Sequence, residues 1–322
     1  MADMLYLSRA DVERVGLDMP TLIGLLAVGF AEKARGGVEM PPKPGIHPRP
    51  DAFIHAMPAA IAPLGAAGLK WVSGYPQNTA RGLPYISGLI VLNDPETGIP
   101  VAVMDCTWIT AQRTGAATAL AARFLARPGS RTVGILACGV QGRTNLLALS
   151  ALFPIDRVLA YDVDPQAQAR YVRDMSSTLG TDLVGVRSPR DAVVESDIVV
   201  TSGPIRRHPE PTIDADWLPP GAFASAVDFD SYWTGRALRQ FDVIATDDRA
   251  QFEYYRRAGY FTETPDPHVT LEDLVAGTQA GRTRDDQRTL AVNLGLALED
   301  VVVAQEVYRR ARAAGIGTKL TL

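Results

Sequence analysis

The sequence predicts an α/β protein made of two parts, on three observations. The chain has 322 residues, and at this length two domains are the better expectation. Residues 131–164 read as a buried strand, a glycine turn, an apolar helix and a second strand that ends on an acid. Residues 52–104 instead read as successive strands of an antiparallel sheet. The first pattern is typical of a parallel sheet with crossover helices, and the second of a separate α+β domain.

Composition limits the class of protein. The hydrophobic content of 47% and charged content of 21% are those of a globular protein. The net charge of −4 favours neither a nucleic-acid nor a membrane partner, and we find no apolar run of about eighteen residues and no secretory signal. The two cysteines, Cys106 and Cys138, favour a reduced, cytoplasmic protein. The scattered histidines and cysteines lack metal-ligand spacing, so we expect no metal.

Hydrophobic periodicity and turn residues place the elements. The first half is predicted to contain a helix over 8–36 capped by Ser8, a proline-rich extended loop over 37–50, strands over 52–58, 67–73, 84–93 and 100–104, and an alanine-rich helix over 107–125. A turn at 127–130 marks the domain boundary. The second half is predicted to contain further strands over 183–186, 198–201, 222–226 and 243–245, and a helix over 289–313 that returns to the first domain.

The stretch 131–164 has the layout of a dinucleotide-binding unit. An apolar strand (133–136), a turn, a helix through Leu146 and a strand ending at Asp162 form a βαβ pattern. The turn lets backbone N–H groups approach a pyrophosphate, which the helix N-terminus then faces. Asp162 can accept hydrogen bonds from a ribose and would repel a 2′-phosphate. The sequence therefore predicts a Rossmann domain that binds NAD(H) in preference to NADP(H).

The turn departs from the Gly-x-Gly-x-x-Gly pattern, since it reads Ala-Cys-Gly-Val-Gln-Gly over 137–142. Gly139 stands where the backbone approaches the cofactor closely, and Gly142 where the helix packs on the strand. Ala137 replaces the first glycine, which we expect to be tolerated with a negative φ. The alternative is an ordinary βαβ turn whose small residues serve packing.

Polar residues at the ends of later strands are candidate ligands. Thr201 and Ser202 end one predicted strand, and Asp228 and Asp230 follow the apolar run 222–227. Acids just past the carboxyl end of a Rossmann strand lie where substrate and nicotinamide meet. The alternative is that they are capping or turn aspartates.

Three residues outside that region are candidates for chemistry. Lys70 lies in an apolar strand; strand statistics favour a solvated edge lysine, whereas a buried one would have a lowered pKa and exchange protons near neutrality. Arg113 lies among alanines and needs an anionic partner, either a substrate carboxylate or a structural ion pair. Thr114, beside it, has a hydroxyl suited to a phosphate.

Together these segments resemble the ornithine cyclodeaminase/μ-crystallin family, in order along nearly the whole chain. The matching segments are Met57-Pro58, Lys70-Trp-Val-Ser-Gly-Tyr-Pro-Gln-Asn, Leu92-Asn-Asp-Pro-Glu-Thr-Gly, Thr110-Ala-Gln-Arg-Thr-Gly-Ala-Ala, Gly139-Val140-Gln141, Gly295-Leu-Ala-Leu-Glu-Asp and Gly317-Thr318-Lys319. The resemblance implies a homodimer with a Rossmann NAD-binding domain, 128–299, and a discontinuous α+β substrate-binding and dimerisation domain, 1–127 and 300–322. It also implies NAD(P)-linked chemistry at the Cα of an amino or imino acid.

The resemblance assigns roles to single residues. Lys70 corresponds to the catalytic lysine and Arg113 to the arginine that binds the substrate carboxylate. Asp230 corresponds to the catalytic acid, although Asp228, two residues earlier, keeps the choice between them open. The implied cofactor contacts are Arg113, Thr114, Gly139, Val140, Gln141, Asp162, Thr201, Ser202 and Asp228.

Two departures from the family bear on the substrate. Lys43 stands where an arginine often helps to hold the carboxylate, so the bidentate fork is lost. His55 stands where ornithine cyclodeaminases have a glutamate that engages the distal ammonium of ornithine. Both departures favour a substrate whose side chain is small and polar or anionic.

These observations predict an NAD(H)-dependent imine (ketimine) reductase or amino-acid dehydrogenase that acts by hydride transfer at Cα of a small α-amino or α-imino acid. The alternative is a cyclodeaminase that recycles NAD and converts ornithine to proline and ammonia. A ligand-binding protein without activity is a third possibility, which the retention of Lys70, Arg113 and Asp230 disfavours. The sequence leaves open the identity of the amino acid and the direction of the reaction.

Overall fold

The computed structural model describes residues 3–206 and 208–322, which divide into two compact units. The first unit comprises the chain up to Arg113 together with Gly295–Leu322, and the second comprises Thr114–Leu294. The first unit begins with β1 (Asp3–Leu7), α1 (Arg9–Val15), α2 (Met19–Ala34), β2 (Val38–Glu39), β3 (Gly45–Ile46), β4 (Phe53–Ile61), β5 (Ala66–Gly74), β6 (Ile86–Asn93), β7 (Pro100–Asp105) and α3 (Thr107–Leu125), which crosses the boundary.

The second unit alternates strands and helices. It contains β8 (Thr132–Leu136), α4 (Val140–Ser150), β9 (Arg157–Tyr161), α5 (Pro165–Leu179), β10 (Asp182–Gly185), α6 (Pro189–Val193), β11 (Ile198–Thr201), β12 (Phe223–Ala226), α7 (Gly235–Leu238), β13 (Val243–Thr246), α8 (Arg249–Arg257), β14 (Val269–Thr270), α9 (Leu271–Ala276) and β15 (Thr289–Val292). The chain then returns to the first unit with α10 (Ala297–Ala314) and β16 (Thr318–Thr321).

The division between the units lies inside α3, not at the 127–130 turn that the sequence suggested. The reason is that the alanine-rich part of α3 packs on the second unit. The Thr118 and Ser225 hydroxyls are 3.0 Å apart, and a Cβ on Gly115 would lie 2.4 Å from the carbonyl oxygen of Thr144. The second crossing, at Gly295, precedes the suggested boundary at residue 300 and keeps all of α10 in the first unit.

The first unit is built on one mixed sheet. Its strand order is β16-β1-β7-β6-β5-β4-β2, with β3 paired to β4; all pairs are antiparallel except β1 with β7. Helix α10 covers one face by packing on β4, β5 and β6, and also on α2. Because strand residues alternate between faces, Lys70 is buried beneath α10 while its neighbour Trp71 is exposed on the other face.

The second unit is built on an all-parallel sheet. Its strand order is β10-β9-β8-β11-β12-β15-β13-β14, and every pair is parallel. The order runs outward in opposite directions from β8 and β11, as in a doubly wound fold, so the carboxyl ends of these strands form the nucleotide-binding edge. The prediction of a Rossmann domain is confirmed.

Two predicted helices differ in the structure. The helix expected over 8–36 is broken between α1 and α2, because Gly16 ends α1 with φ +55° and Asp18 caps α2 by accepting from the Thr21 N–H. The prediction of a helix over 289–313 was wrong at its start, since residues 289–292 form β15 between β12 and β13. Three of these four residues are apolar and all four are buried, and so short a run has no periodicity that separates strand from helix.

No single helix in the described ranges has both the length and the hydropathy to cross a bilayer. The bent pair α1–α2, whose axes differ by 96°, meets those two criteria jointly.

Candidate active site

A cluster of buried charges in the first unit gathers Lys70 from β5, Arg113 from α3, and Glu299 and Asp300 from the first turn of α10. We call these four residues the charged cluster. The Lys70 Nζ lies 2.5 Å from Asp300 Oδ2. Arg113 donates from Nη1 to Glu299 Oε2 at 2.7 Å and from Nε to Asp300 Oδ1 at 3.0 Å. Both carboxylates are fully inaccessible to solvent.

Lys70 is not the solvated edge lysine that strand statistics favoured. Its neighbours across the sheet are Met57 and Ile90, both buried, and its exposed fraction is 1%. A buried ammonium without a partner costs several kcal/mol, so the Asp300 carboxylate offsets the loss of water. Burial lowers the pKa of Lys70, and the nearby Asp300 charge opposes that change. The lysine thus has the environment of a proton-exchanging group.

Arg113 finds its anionic partners within the protein. Its guanidinium lies where a side chain on Gly295 would stand, because a Cβ there would be 2.6 Å from Nη1. Gly295 also has φ +76°, which disfavours any other residue. The Gly-Leu-Ala-Leu-Glu-Asp segment therefore brings two acids to Arg113 and leaves room for the guanidinium.

Glu299 differs from Asp300 in its contacts. Burial is the main cause of its raised pKa, and Arg113 opposes the effect. Its Oε2 also accepts weakly from the Leu296 N–H at 3.4 Å, while Oε1 has no hydrogen-bond partner. Sequence reasoning missed both acids, although two adjacent carboxylates between apolar residues at the start of a helix were a usable signal.

Lys43 and His55 lie in the same unit. The Lys43 ammonium is nearly buried and donates to the Gly295 carbonyl at 3.1 Å. The His55 ring stacks on Phe53 with centroids 4.3 Å apart. Burial, and then the Lys43 charge, lower the pKa of His55 to about 3, so the ring is neutral at physiological pH.

The turn between β8 and α4 fits a pyrophosphate. A Cβ on Gly139 would meet no atom within 4 Å, so the space above the backbone is open, whereas one on Gly142 would lie 2.5 Å from the Ala137 carbonyl oxygen. Gly139 caps α4 without a side-chain hydrogen bond, and the next residue, Val140, is exposed. The first N–H groups of α4 are thus suited to bind an anion.

Ala137 has φ +79°, which contradicts the expected negative value. The residues around it are tied to the end of β9: the Ala137 N–H donates to the Tyr161 carbonyl at 2.9 Å, and the Cys138 N–H to Asp162 Oδ2 at 2.7 Å. This conformation costs an alanine about 1–2 kcal/mol. The missing first glycine is therefore a strained replacement, and Asp162 helps to hold the turn.

Asp162 lies at the carboxyl end of β9 as predicted. Besides Cys138, it accepts from the Asp164 N–H through Oδ1 at 2.9 Å. Nearby, Gln141 accepts through its backbone carbonyl from the Asn145 side chain at 2.8 Å. Thr114, the first residue of the second unit, is nearly buried within α3.

The ends of β11 and β12 are joined by a buried network. Thr201 donates to Asp228 Oδ1 at 2.7 Å and accepts from the Trp233 Nε1–H at 3.2 Å. The Gly203 N–H donates to Asp228 Oδ2 at 3.2 Å, and the Ser202 hydroxyl donates to the Ala137 carbonyl at 3.1 Å. Asp228 is therefore inaccessible and ties these strand ends together.

Asp230 is more accessible than Asp228. It accepts from the Thr264 hydroxyl at 2.9 Å and is only partly buried. Burial raises its pKa. Phe229, which separates the two acids, has φ +64° and lies among Tyr255, Tyr260 and Phe261. This strained turn, held by aromatic packing, lets the two neighbouring acids have different environments.

Asp228 makes the stability depend on pH. Burial raises its pKa from 3.8 to about 7, so the folded protein holds a proton that the unfolded chain releases. The stability that this provides is complete below pH 4 and is lost as the pH rises to 7. We expect Asp228→Asn to remove this loss, which is on the order of 4 kcal/mol. Urea midpoints of the parent and of Asp228→Asn between pH 4 and 8 measure this loss of stability. Asp182→Asn, on the exposed edge strand, is the control. The same dependence of the midpoint on pH in the parent and in Asp228→Asn would contradict the prediction.

Comparison with known proteins agrees with the family resemblance of the sequence motifs along nearly the whole chain. The model of the ornithine cyclodeaminase/mu-crystallin family matches residues 3–315. A Δ(1)-pyrroline-2-carboxylate reductase of Thermococcus litoralis, solved with NADH and L-proline, is 33% identical, with a TM-score of 0.90 over 98% of this chain and 99% of that one. An archaeal alanine dehydrogenase dimer with bound NAD is 32% identical, with a TM-score of 0.88 over 100% of both chains.

An ornithine cyclodeaminase of Agrobacterium fabrum is 31% identical over 87% of this chain and 78% of that protein. The family match and these relatives, together with the Rossmann turn and the charged cluster, show that the chain belongs to the ornithine cyclodeaminase/mu-crystallin family.

Proposed function

We propose that this protein is an NAD(H)-dependent oxidoreductase that interconverts an α-imino acid and an α-amino acid. The observation that carries the proposal is the charged cluster, which buries an arginine and a lysine of lowered pKa in one unit. Buried cations of this kind suit a substrate carboxylate and a proton on nitrogen. The relatives named for imino-acid reduction and alanine dehydrogenation support the same chemistry.

The second unit supplies the proposed cofactor contacts except Arg113, which belongs to the first unit. Backbone groups of Gly139, Val140 and Gln141 bind the pyrophosphate, and Asp162 binds the adenosine ribose. Further contacts are proposed for Arg113, Thr114, Thr201, Ser202 and Asp228, of which Thr201 and Asp228 act through the buried network described above. When bound, NADH supplies a hydride for the Cα of an imine, and NAD⁺ accepts one from an amino acid.

The first unit supplies the proposed substrate contacts. Arg113 and Lys43 hold the α-carboxylate and so orient Cα, which contributes much of the rate enhancement. Lys70 exchanges a proton with the substrate nitrogen or with water. Asp230, which belongs to the second unit, is the proposed second proton-exchanging group, since Asp228 is committed to Thr201 and Gly203.

His55 restricts the substrate class. A neutral imidazole stacked on Phe53 offers no carboxylate to a distal ammonium. The nearby Lys43 charge adds repulsion toward a second cation. We therefore propose a substrate whose side chain is small and polar or anionic, and not ornithine.

A substrate panel tests the function. The protein with NADH is mixed with 2-oxo acids and ammonia or methylamine, and with cyclic imino acids, while absorbance at the nicotinamide band is followed. We expect NADH oxidation with at least one member that has no cationic side chain. Ammonia and proline from ornithine, without net change in NADH, would instead identify the cyclodeaminase reaction that the Agrobacterium relative favours.

Asp162 is expected to set the cofactor preference. Its carboxylate repels a 2′-phosphate, so Asp162→Ser should weaken NADH binding about tenfold and narrow the difference between NADH and NADPH. Fluorescence titration with both nucleotides measures the two Kd values. Because Asp162 also holds Cys138, the melting temperature of the variant is measured alongside. An unchanged NADH/NADPH ratio would contradict this role.

We propose that the protein acts as a homodimer in the cytoplasm. The sheet face opposite α10 exposes Tyr6, Trp71 and Leu89, and Trp71 lies directly across from Leu89 in the register. An apolar patch of this kind is typical of a protein interface, and a second copy is the proposed occupant because an archaeal relative is a dimer. We expect Trp71→Glu to yield monomers in analytical ultracentrifugation; a monomeric parent would contradict the proposal.

A further inference from the structure

Asp300 contacts both cations to which the proposed function assigns the substrate. Its Oδ1 accepts from Arg113 Nε at 3.0 Å, and its Oδ2 lies 2.5 Å from Lys70 Nζ. Its neighbour Glu299, on the same helix turn and equally buried, contacts Arg113 but makes no ion pair with Lys70. The ion pair with Lys70 is therefore a difference between the two adjacent acids that an experiment can test.

We propose that Asp300 is a positioning residue that holds the Lys70 ammonium and the Arg113 guanidinium together in the arrangement the reaction uses. The proposal rests on the proposed function, because it assumes that these two cations serve the substrate. Arg113 has a second carboxylate in Glu299, so the loss of Asp300 affects Lys70 more than Arg113.

Several groups face Lys70 from the elements around it. They are Asp300 and Glu299 from α10, Arg113 and the Thr110 hydroxyl from α3, Cys106 before α3, and His55 from β4. Arg113 disfavours the ammonium form, and burial does so more strongly, while Asp300 is the leading favourable influence. Cys106 contributes little charge near neutrality, because burial raises its pKa to about 11. Removing the Asp300 charge therefore lowers the pH at which Lys70 loses its proton.

The proposal predicts the direction of a shift in the pH profile. In the direction of imine reduction, an ammonium on Lys70 is needed, and the alkaline limb of kcat/KM moves to lower pH in Asp300→Asn. In the direction of amino-acid oxidation, a neutral lysine is needed, and the acid limb moves to lower pH instead. In both directions the limb set by Lys70 falls by about one to three pH units.

Asparagine is the variant of choice at position 300 because it has nearly the same shape. Its amide oxygen still accepts from Arg113 Nε, so the contact between α10 and α3 is kept while the charge is removed. Glu299→Gln is the matched control, since it removes the adjacent buried charge and leaves the Lys70–Asp300 pair in place.

The titration of Lys70 itself is the deciding measurement. The lysines of the chain are Lys33, Lys43, Lys70 and Lys319, so a protein labelled with ¹³C-lysine gives few ε-methylene signals, and Lys70→Met identifies the one that matters. We expect the Lys70 midpoint to fall by about one pH unit or more in Asp300→Asn and to stay near the parent value in Glu299→Gln. The limb of kcat/KM should move with it.

Equal Lys70 midpoints in Asp300→Asn and the parent would overturn the proposal, even if the variant were less stable or less active. Should Asp300→Asn not fold, Asp300→Glu takes its place: the longer side chain displaces the carboxylate from Lys70, and an unchanged midpoint would overturn the proposal equally. The NMR titration needs no substrate. A shifted midpoint in a protein that turns over no imino or amino acid would therefore reject the proposed function while supporting the link between Asp300 and Lys70.

Discussion

Lys70→Met is expected to lower kcat/KM by about 10²–10⁴-fold, the usual contribution of a positioned acid or base. Methionine fills the volume between Met57 and Ile90 without restoring the proton-exchanging amine. NADH binding should persist, because the proposed pyrophosphate and ribose contacts belong to the second unit. Steady-state kinetics with the substrate from the panel, together with NADH titration by fluorescence, separate the two effects.

In Lys70→Met, Asp300 loses one of its two cationic partners and keeps only Arg113. We therefore expect some loss of stability in this variant. The double variant Lys70→Met/Asp300→Asn is the control, since it removes both members of the pair. It should regain stability but not activity. A Lys70→Met protein that binds NADH and turns over substrate like the parent would contradict the catalytic assignment.

Arg113→Met is expected to destabilise the first unit by about 3–5 kcal/mol, the cost of breaking a buried ion pair. Both Glu299 Oε2 and Asp300 Oδ1 lose the guanidinium as a donor in a site closed to solvent. The deficit should shrink at low pH, because burial already raises the pKa of Glu299 and protonation removes the unpaired charge. Urea denaturation of parent and variant at pH 5 and pH 8 measures the size of the destabilisation and the direction in which it changes with pH.

Arg113→Met/Glu299→Gln completes a double-mutant cycle for this pair. We expect the second substitution to recover part of the lost stability at pH 8 and little at pH 5. If Arg113→Met alone were as stable as the parent, the two buried carboxylates would not depend on the arginine. That result would contradict the role of Arg113 as the cation that stabilises them.

Local signals in the sequence were sufficient for much of the fold. Alternating apolar residues identified β4 to β7, and the glycine turn with Asp162 identified the Rossmann unit. Strand β15 was not predicted because a four-residue run has no distinctive period, and its place between β12 and β13 depends on pairing with residues far away in the sequence. The boundary inside α3 was not predicted for a similar reason, since it depends on what each half of the helix packs against.

For the site, the sequence identified candidate residues by their type but did not predict the environment of each side chain. Lys70 and Arg113 stood out because charges are rare in apolar segments, yet the burial of Lys70 contradicted strand statistics. Its environment is decided by α10, whose acids are separated from it by more than two hundred residues in sequence. The positive φ of Ala137 likewise results from tertiary hydrogen bonds to β9, which the local sequence does not specify.

Hydride transfer to Cα is the central claim, and isotope transfer tests it most directly. The protein is incubated with NADH carrying deuterium at C4 of the nicotinamide, together with the imino acid or the mixture of oxo acid and amine that the panel identifies. We expect one deuterium at Cα of the amino-acid product by NMR and mass spectrometry, and an equivalent amount of NAD⁺. An amino acid formed without deuterium from either C4-deuterated epimer of NADH, or no consumption of NADH with any member of the panel, would contradict it.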